Sequence, residues 1–126
     1  MIVTKRISFD AAHYLPGYEG KCAQMHGHGW VVELGVEGEV KASGVVIDFS
    51  LLNKFLTRVK VTFDQKCVND TIENPTAENI CLWIKGKLLQ WREDGHINFL
   101  NLNRLGLAFV RVWETPDSYA EVGPDD

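Results

Sequence analysis

Cys22-Ala23-Gln24-Met25-His26-Gly27-His28-Gly29-Trp30-Val31-Val32-Glu33-Leu34-Gly35-Val36-Glu37-Gly38-Glu39-Val40 is the stretch whose reading decides the fold. From Trp30 to Val40 it alternates. Trp30, Val32, Leu34 and Val36 share one side, while Glu33, Glu37 and Glu39 share the other with Val31 and Gly35. Period-two alternation predicts a half-buried antiparallel strand with the glutamate side left wet. His26 and His28 carry the parity of the apolar side. An unbroken strand would therefore aim both imidazoles toward the core from one face. Gly27 and Gly29 could instead shift that register. Two readings stay open at this point: a metal site at the rim of the core, or polar residues satisfied by ordinary hydrogen bonds. A short His-x-His pair is a weak motif without a third ligand. His13 offers one, since three of the four histidines fall within 16 positions, with Cys22 beside them. Three imidazoles and one free position form the ligand set of a catalytic zinc ion.

The rest of the chain sets the frame. Its 126 residues, 45% apolar and 24% charged, describe one domain, 1–126, of ordinary globular composition. No apolar run approaches the ~20 residues of a membrane span, and no basic-then-apolar leader precedes the first strand, so a cytoplasmic protein is expected. Cys22, Cys67 and Cys81 are odd in number and show no paired spacing, which argues against a disulfide framework. A net charge of −4 without a basic run argues against nucleic acid as a partner.

Outward from the central strand, residues 2–9 alternate and predict another strand, followed by Asp10-Ala11-Ala12-His13 and a Pro16-Gly17 loop. Lys41 to Gly44 reads as a turn, and Val45-Val46-Ile47 as a short strand paired with its predecessor. Leu51, Leu52, Phe55, Leu56 and Val59 recur at helical spacing after a cap at Asp48 or Ser50. Residues 63–70 are polar and irregular. A second helix follows, capped by Asn74 or Thr76 with Pro75 in its first turn, and carries Ile80, Trp83, Ile84, Leu88 and Trp91 as a core-facing stripe. Residues 106–114 and 119–122 read as a hairpin around Thr115-Pro116-Asp117-Ser118, and the last four residues are expected to fray. The whole is an α+β arrangement, an antiparallel sheet with two helices on one face. Its two open edges invite pairing with copies of the same chain.

Five blocks, in order, give the chain a resemblance to a known family. They are Phe9-Asp10-Ala11-Ala12-His13, Cys22 through His28, Val46-Ile47-Asp48-Phe49, Glu73 through Asn79, and Trp113-Glu114-Thr115. The chain resembles the 6-pyruvoyltetrahydropterin synthase / 6-carboxytetrahydropterin synthase family over nearly its full length. The resemblance implies the tunnelling fold: a four-stranded antiparallel sheet with two helices, trimers closing a barrel, and two trimers stacked as a homo-hexamer. It implies Zn2+ held by His13, His26 and His28, and 7,8-dihydroneopterin triphosphate as the small-molecule substrate. Glu114 matches the glutamate that grips the pterin's guanidine-like edge, and Thr76 and Ala77 match backbone contacts to the ring. Cys22, beside Lys21 and near a dication, matches a thiolate base; the plainer alternative is a buried structural thiol.

One departure stands out. The family usually carries Asp-His as a proton relay after the first helix, and here the pair is Asp64-Gln65. A carboxamide cannot carry a proton at neutral pH. His96, the one remaining histidine, reads as an exposed loop residue. The Cys22-to-His26 spacing resembles the 6-carboxytetrahydropterin branch, a lyase reaction that releases acetaldehyde and triphosphate on the way to queuosine and related deazapurines. The alternatives are the pyruvoyl branch, a pterin side-chain-cleaving enzyme of altered scope, and a non-catalytic zinc- and pterin-binding module.

Overall fold

The computed structural model describes residues 1–95 and 105–126. Four strands form one antiparallel sheet in the order β1 (Ile2–His13), β2 (His26–Glu37), β3 (Gly106–Thr115) and β4 (Ser118–Val122). Two helices, α1 (Phe49–Phe63) and α2 (Ala77–Glu93), pack on one face, α1 chiefly over β1 and α2 over β3 and β4. The expected α+β architecture is therefore present. Its core is the even-numbered face of β2: Trp30, Val32, Leu34 and Val36 are fully buried between the sheet and helix residues such as Leu52, Phe55, Ile84 and Leu88.

Both helices start where a side-chain oxygen can take an orphan amide. Asp48 Oδ1 accepts from Ser50 N at 2.8 Å, and the Thr76 hydroxyl accepts from Asn79 N at 3.1 Å. These bonds hold the Asp48 carboxyl below its usual range and fix the two N-termini. Pro75 stands before the Thr76 cap and not in the first turn. Its carbonyl is thereby free for another purpose.

Other expectations need correcting. The first strand runs on from Phe9 to His13, because Asp10 through His13 continue the ladder opposite Gly29 through His26. Val45-Val46-Ile47 is not a strand. Gly44, at φ 90°, turns the chain back so that Gly44 N donates to Lys41 O and Lys41 N to Val45 O. The apolar run serves burial, with Val46 and Ile47 each 3% exposed. The C-terminal residues do not fray: the buried Lys85 ammonium donates to the carbonyls of Gly123, Pro124 and Asp126. The glutamate side of β2 is only partly wet. Glu33 accepts from Trp113 Nε1 at 2.7 Å and pairs with Arg111 and Arg6, which leaves its side chain 12% exposed. His96 lies outside the described residues.

Gly35 pairs with Phe109 across β2 and β3, where the register then shifts by a bulge before Val36. The Phe109 ring covers Gly35 so closely that a Cβ there would come within 2.4 Å of Phe109 Cε1, and the Arg111 guanidinium lies over the same ring at 4.5 Å. Gly35→Ala is accordingly expected to cost about 1–3 kcal/mol through overpacking. In denaturant titrations the loss should shrink in the Phe109→Ala background, since the clash partner is gone. Equal losses in both backgrounds would show that the ring is not the cause.

Candidate metal centre and ligand cavity

The site forms where the C-terminal end of β1 meets the N-terminal end of β2. His13 and His26 are direct cross-strand partners, and His28 lies two residues on, opposite Ala11. The pairing is regular from Ile2 to His13, so the glycines at 27 and 29 do not shift the register. The histidines keep the parity of Trp30 and reach the rim of the core. Side chains on the same face of neighbouring strands are held within contact distance by the ladder itself. Trp30 is the floor, its ring edge-on to His13 at 5.0 Å and to His28 at 5.4 Å between centroids. Its Nε1 donates to Ala11 O.

Hydrogen bonds settle which ring nitrogens carry lone pairs. His13 Nδ1 lies 2.8 Å from the Pro75 carbonyl, and His26 Nδ1 lies 2.7 Å from the Gln24 carbonyl. A carbonyl can only accept, so each Nδ1 is the protonated donor and each Nε2 of a neutral ring carries the lone pair. Yet the two Nε2 atoms face one another at 3.0 Å. The Nε2 of His28 is buried with no hydrogen-bond partner. Glu114, near the end of β3, brings Oε1 to 3.2 Å from His13 Nε2 and 3.4 Å from His28 Nε2. One ligand atom from each of these four residues lies within 4.8 Å of the others. Converging lone pairs and a carboxylate, partly shielded from water, would be satisfied by a cation between them. The residues fit a metal ion, and second bonds from the Nδ1 atoms to carbonyls are the usual way of orienting imidazole ligands. Burial, ahead of the opposing pull of Glu114, pushes the His28 pKa down and favours the neutral ring a metal needs.

The structure brings together His13, His26, His28 and Glu114. Glu114 also lines a cavity of about 430 Å³ with Ala77, Glu78, Ser118, Tyr119, Ala120 and Glu121. Ala77 and Glu114 thus share one hollow, with Thr76 next to it as the α2 cap. Cys22 is exposed on a single 3-10 turn, Lys21–Ala23, just before β2. Neither it nor Asp64 or Gln65 contributes to the four-residue cluster. Asp64 Oδ1 accepts from Asp10 N at 3.1 Å, and Gln65 N donates to Asp10 O at 2.7 Å, on the free side of β1. Gln65 sits at φ 60°, a left-handed backbone uncommon outside glycine. Together with Asp10, Gly27, His28, Gly29 and Cys67 it lines a second, more open cleft of about 520 Å³.

Three contributors were not anticipated. The Pro75 carbonyl orients His13, and Trp30 floors the site. Asn69 clamps the end of β1 by exchanging two hydrogen bonds with the Tyr14 backbone, at 3.0 and 2.8 Å. Only Trp30 carried a signal, its place two residues beyond His28 on one parity. The other two act through backbone atoms 55 and 62 positions away.

An antiparallel sheet that gathers three imidazoles and a carboxylate at one end, under two helices, defines a class of cation-site α+β proteins. Comparison with known proteins places the chain within that class. Residues 2–125 match the family described as 6-pyruvoyl tetrahydropterin synthase, and the chain belongs to this family of pterin enzymes. A protein of Archaeoglobus fulgidus, provisionally named a 6-carboxy-5,6,7,8-tetrahydropterin synthase, is 42% identical over 122 residues, 97% of this chain and 95% of the relative. A dihydroneopterin monophosphate aldolase of Pyrococcus furiosus is 42% identical over 83 residues, 66% of this chain and 70% of the relative. The solved Caenorhabditis elegans 6-pyruvoyl tetrahydropterin synthase superposes with a TM-score of 0.79 at 25% identity, covering 98% of this chain and 94% of that one.

The three thiols differ in environment. Cys81 is fully buried and donates to the Ala120 carbonyl at 3.1 Å. Burial pushes its pKa up to about 12, leaving almost no thiolate at neutral pH. Alkylation of the native protein at pH 8, followed by peptide mass mapping, is expected to modify Cys22 and spare Cys81. Cys81 should react only after unfolding, and its modification at the rate of Cys22 would contradict its placement.

Proposed function

We propose that this chain is a zinc-dependent lyase that converts 7,8-dihydroneopterin triphosphate to 6-carboxy-5,6,7,8-tetrahydropterin with loss of acetaldehyde and triphosphate, the step that feeds queuosine-type deazapurines. The observation that carries it is one carboxylate, Glu114, shared between a tri-histidine cluster and a cavity of about 430 Å³, in a chain whose Archaeoglobus relative bears the 6-carboxytetrahydropterin synthase name. His13, His26 and His28 would hold the zinc ion. Held there, zinc would supply a Lewis acid that lowers the pKa of substrate hydroxyls. Glu114 accepts two parallel hydrogen bonds from the guanidine-like edge of the pterin, with the backbone of Thr76 and Ala77 bordering the ring. Cys22, as thiolate, takes the proton from the side-chain carbon. Asp64 and Gln65 occupy the relay position, where Gln65 orients a water but carries no proton.

Asp64 and Gln65 contribute no atom to the cluster, but Gln65 borders the cleft of about 520 Å³ that His28 also lines, and a neighbouring copy packed there would close that cleft. This is the arrangement a hexamer of two stacked trimers would give. A single domain over residues 1–126, acting in the cytoplasm, completes the proposal. Among the described residues no helix is long and apolar enough to cross a membrane.

Gln65 and the Pyrococcus relative favour a second reading, retro-aldol cleavage of a dihydroneopterin phosphate. Product analysis separates the two. Zinc-loaded protein given the triphosphate is expected to release acetaldehyde and a carboxypterin, to lose this activity on chelation, and to regain it with zinc. A hydroxymethylpterin from the monophosphate, with no carboxypterin from the triphosphate, would replace the first reading by the second. Gln65→His restores a proton carrier and is expected to raise kcat on the triphosphate by up to about 100-fold with little change in KM. An unchanged kcat would mean that the relay position does not limit turnover.

A further inference from the structure

Glu114 is the residue whose position the proposed chemistry does not explain. Glu114 lines the proposed pterin cavity, yet its Oε1 also stands 3.2 Å from His13 Nε2 and 3.4 Å from His28 Nε2, contacts that pterin binding does not call for. For metal–ligand bonds of about 2.0–2.1 Å, the corners of a tetrahedron stand about 3.3–3.4 Å apart. The separations of 3.2 and 3.4 Å, with 3.0 Å between His13 Nε2 and His26 Nε2, are close to such edges. Three of the six separations are thus near such edges, and all four ligand atoms lie within 4.8 Å of one another, which puts Oε1 within reach of the position that three imidazoles alone would leave open. Among the described residues no lysine or arginine pairs with Glu114; its Oε1 approaches His13 Nε2 and His28 Nε2 instead.

We propose that Glu114 is an exchangeable fourth metal ligand. With the cavity empty it closes the coordination shell. A ring whose guanidine-like edge enters beside Ala77 and Tyr119 draws the carboxylate away and opens that corner to the substrate's side-chain hydroxyls. The exchange is a swap of donors in which no covalent bond of substrate or protein is made or broken. Its consequence is order: the metal becomes available only after the ring has docked, and a phosphorylated chain without a pterin meets a closed site. The exchange rests on the pterin reading above; the ligand assignment rests on the cluster geometry alone.

Cobalt(II) substitution tests both parts without turnover. The visible cobalt bands of the wild-type protein and Glu114→Gln should differ, and zinc affinity in a chelator competition should fall by about 10- to 100-fold in the variant, the scale seen when a metal site loses a supporting group. Matching circular dichroism of the metal-free forms excludes misfolding as the cause. Pterin itself, which has no side-chain hydroxyls, should shift the wild-type bands toward those of Glu114→Gln and leave the variant's unchanged. Identical spectra and zinc affinities for the two proteins would overturn the ligand assignment, even where Glu114→Gln loses pterin binding and so upholds the pterin reading. A spectral difference with equal pterin binding by both proteins upholds the ligand and overturns the exchange. Wild-type protein that takes up neither cobalt nor zinc overturns all of it.

Discussion

Two lone pairs pointing at each other over 3.0 Å are what the rest of the site depends on. The arrangement is unfavourable by itself, since neither Nε2 has a proton to give once both Nδ1 atoms donate to carbonyls. The fold imposes it through backbone geometry. His13 and His26 are locked opposite one another by the β1–β2 ladder, and the Pro75 and Gln24 carbonyls fix the rotation of each ring. A cation, whether a proton on one ring or a metal ion between them, would resolve such preorganised repulsion. Free energy gained on binding a metal ion there would therefore be partly free energy that folding has already spent.

This dependence explains details that would otherwise look unrelated. Thr76, and not Pro75, caps α2, which leaves the Pro75 carbonyl facing the buried His13 ring. The Asn69 amide ties the Tyr14 backbone to the segment after α1, so the strand end that carries His13 cannot fray. Trp30, fully buried, keeps water from beneath the cluster. Each contact acts on the direction of a ring, and an error of an ångström in any of them would separate the donor atoms.

Much of this was legible in the sequence because it is periodic. The parity shared by His26, His28, Trp30 and Val32 decides which face the imidazoles leave, and the regular ladder from Ile2 to His13 shows the glycines do not alter it. The helices were legible from their stripes and caps. What was not legible depends on pairings far apart in the chain. Val45-Val46-Ile47 has the composition of a strand, but Gly44 reverses the backbone and the run is used for burial. The Gly-Pro-Asp-Asp tail is ordered by Lys85, 38 residues before Gly123. The distance from Glu114 to the histidines is a consequence of how β3 registers on β2, and no local pattern encodes that register.

The free side of β1 carries the argument one step further. Asp10 and Ala12 are covered there, since Gln65 N donates to Asp10 O and Ala12 N to Lys66 O, with Ala12 and Cys67 forming a parallel bridge. The left-handed backbone at Gln65 turns the chain onto this edge. Among the described residues no backbone segment covers the stretch before Asp10 in this way, so strand pairing with a copy would fall on that earlier stretch. At the other margin of the sheet β4 is only five residues long. An edge-to-edge assembly built on these margins would pair a short β4 with the first half of β1. Gln65 and Asp64 would then lie next to that seam. Any assembly of copies is thus constrained by which hydrogen bonds the edge still has to offer.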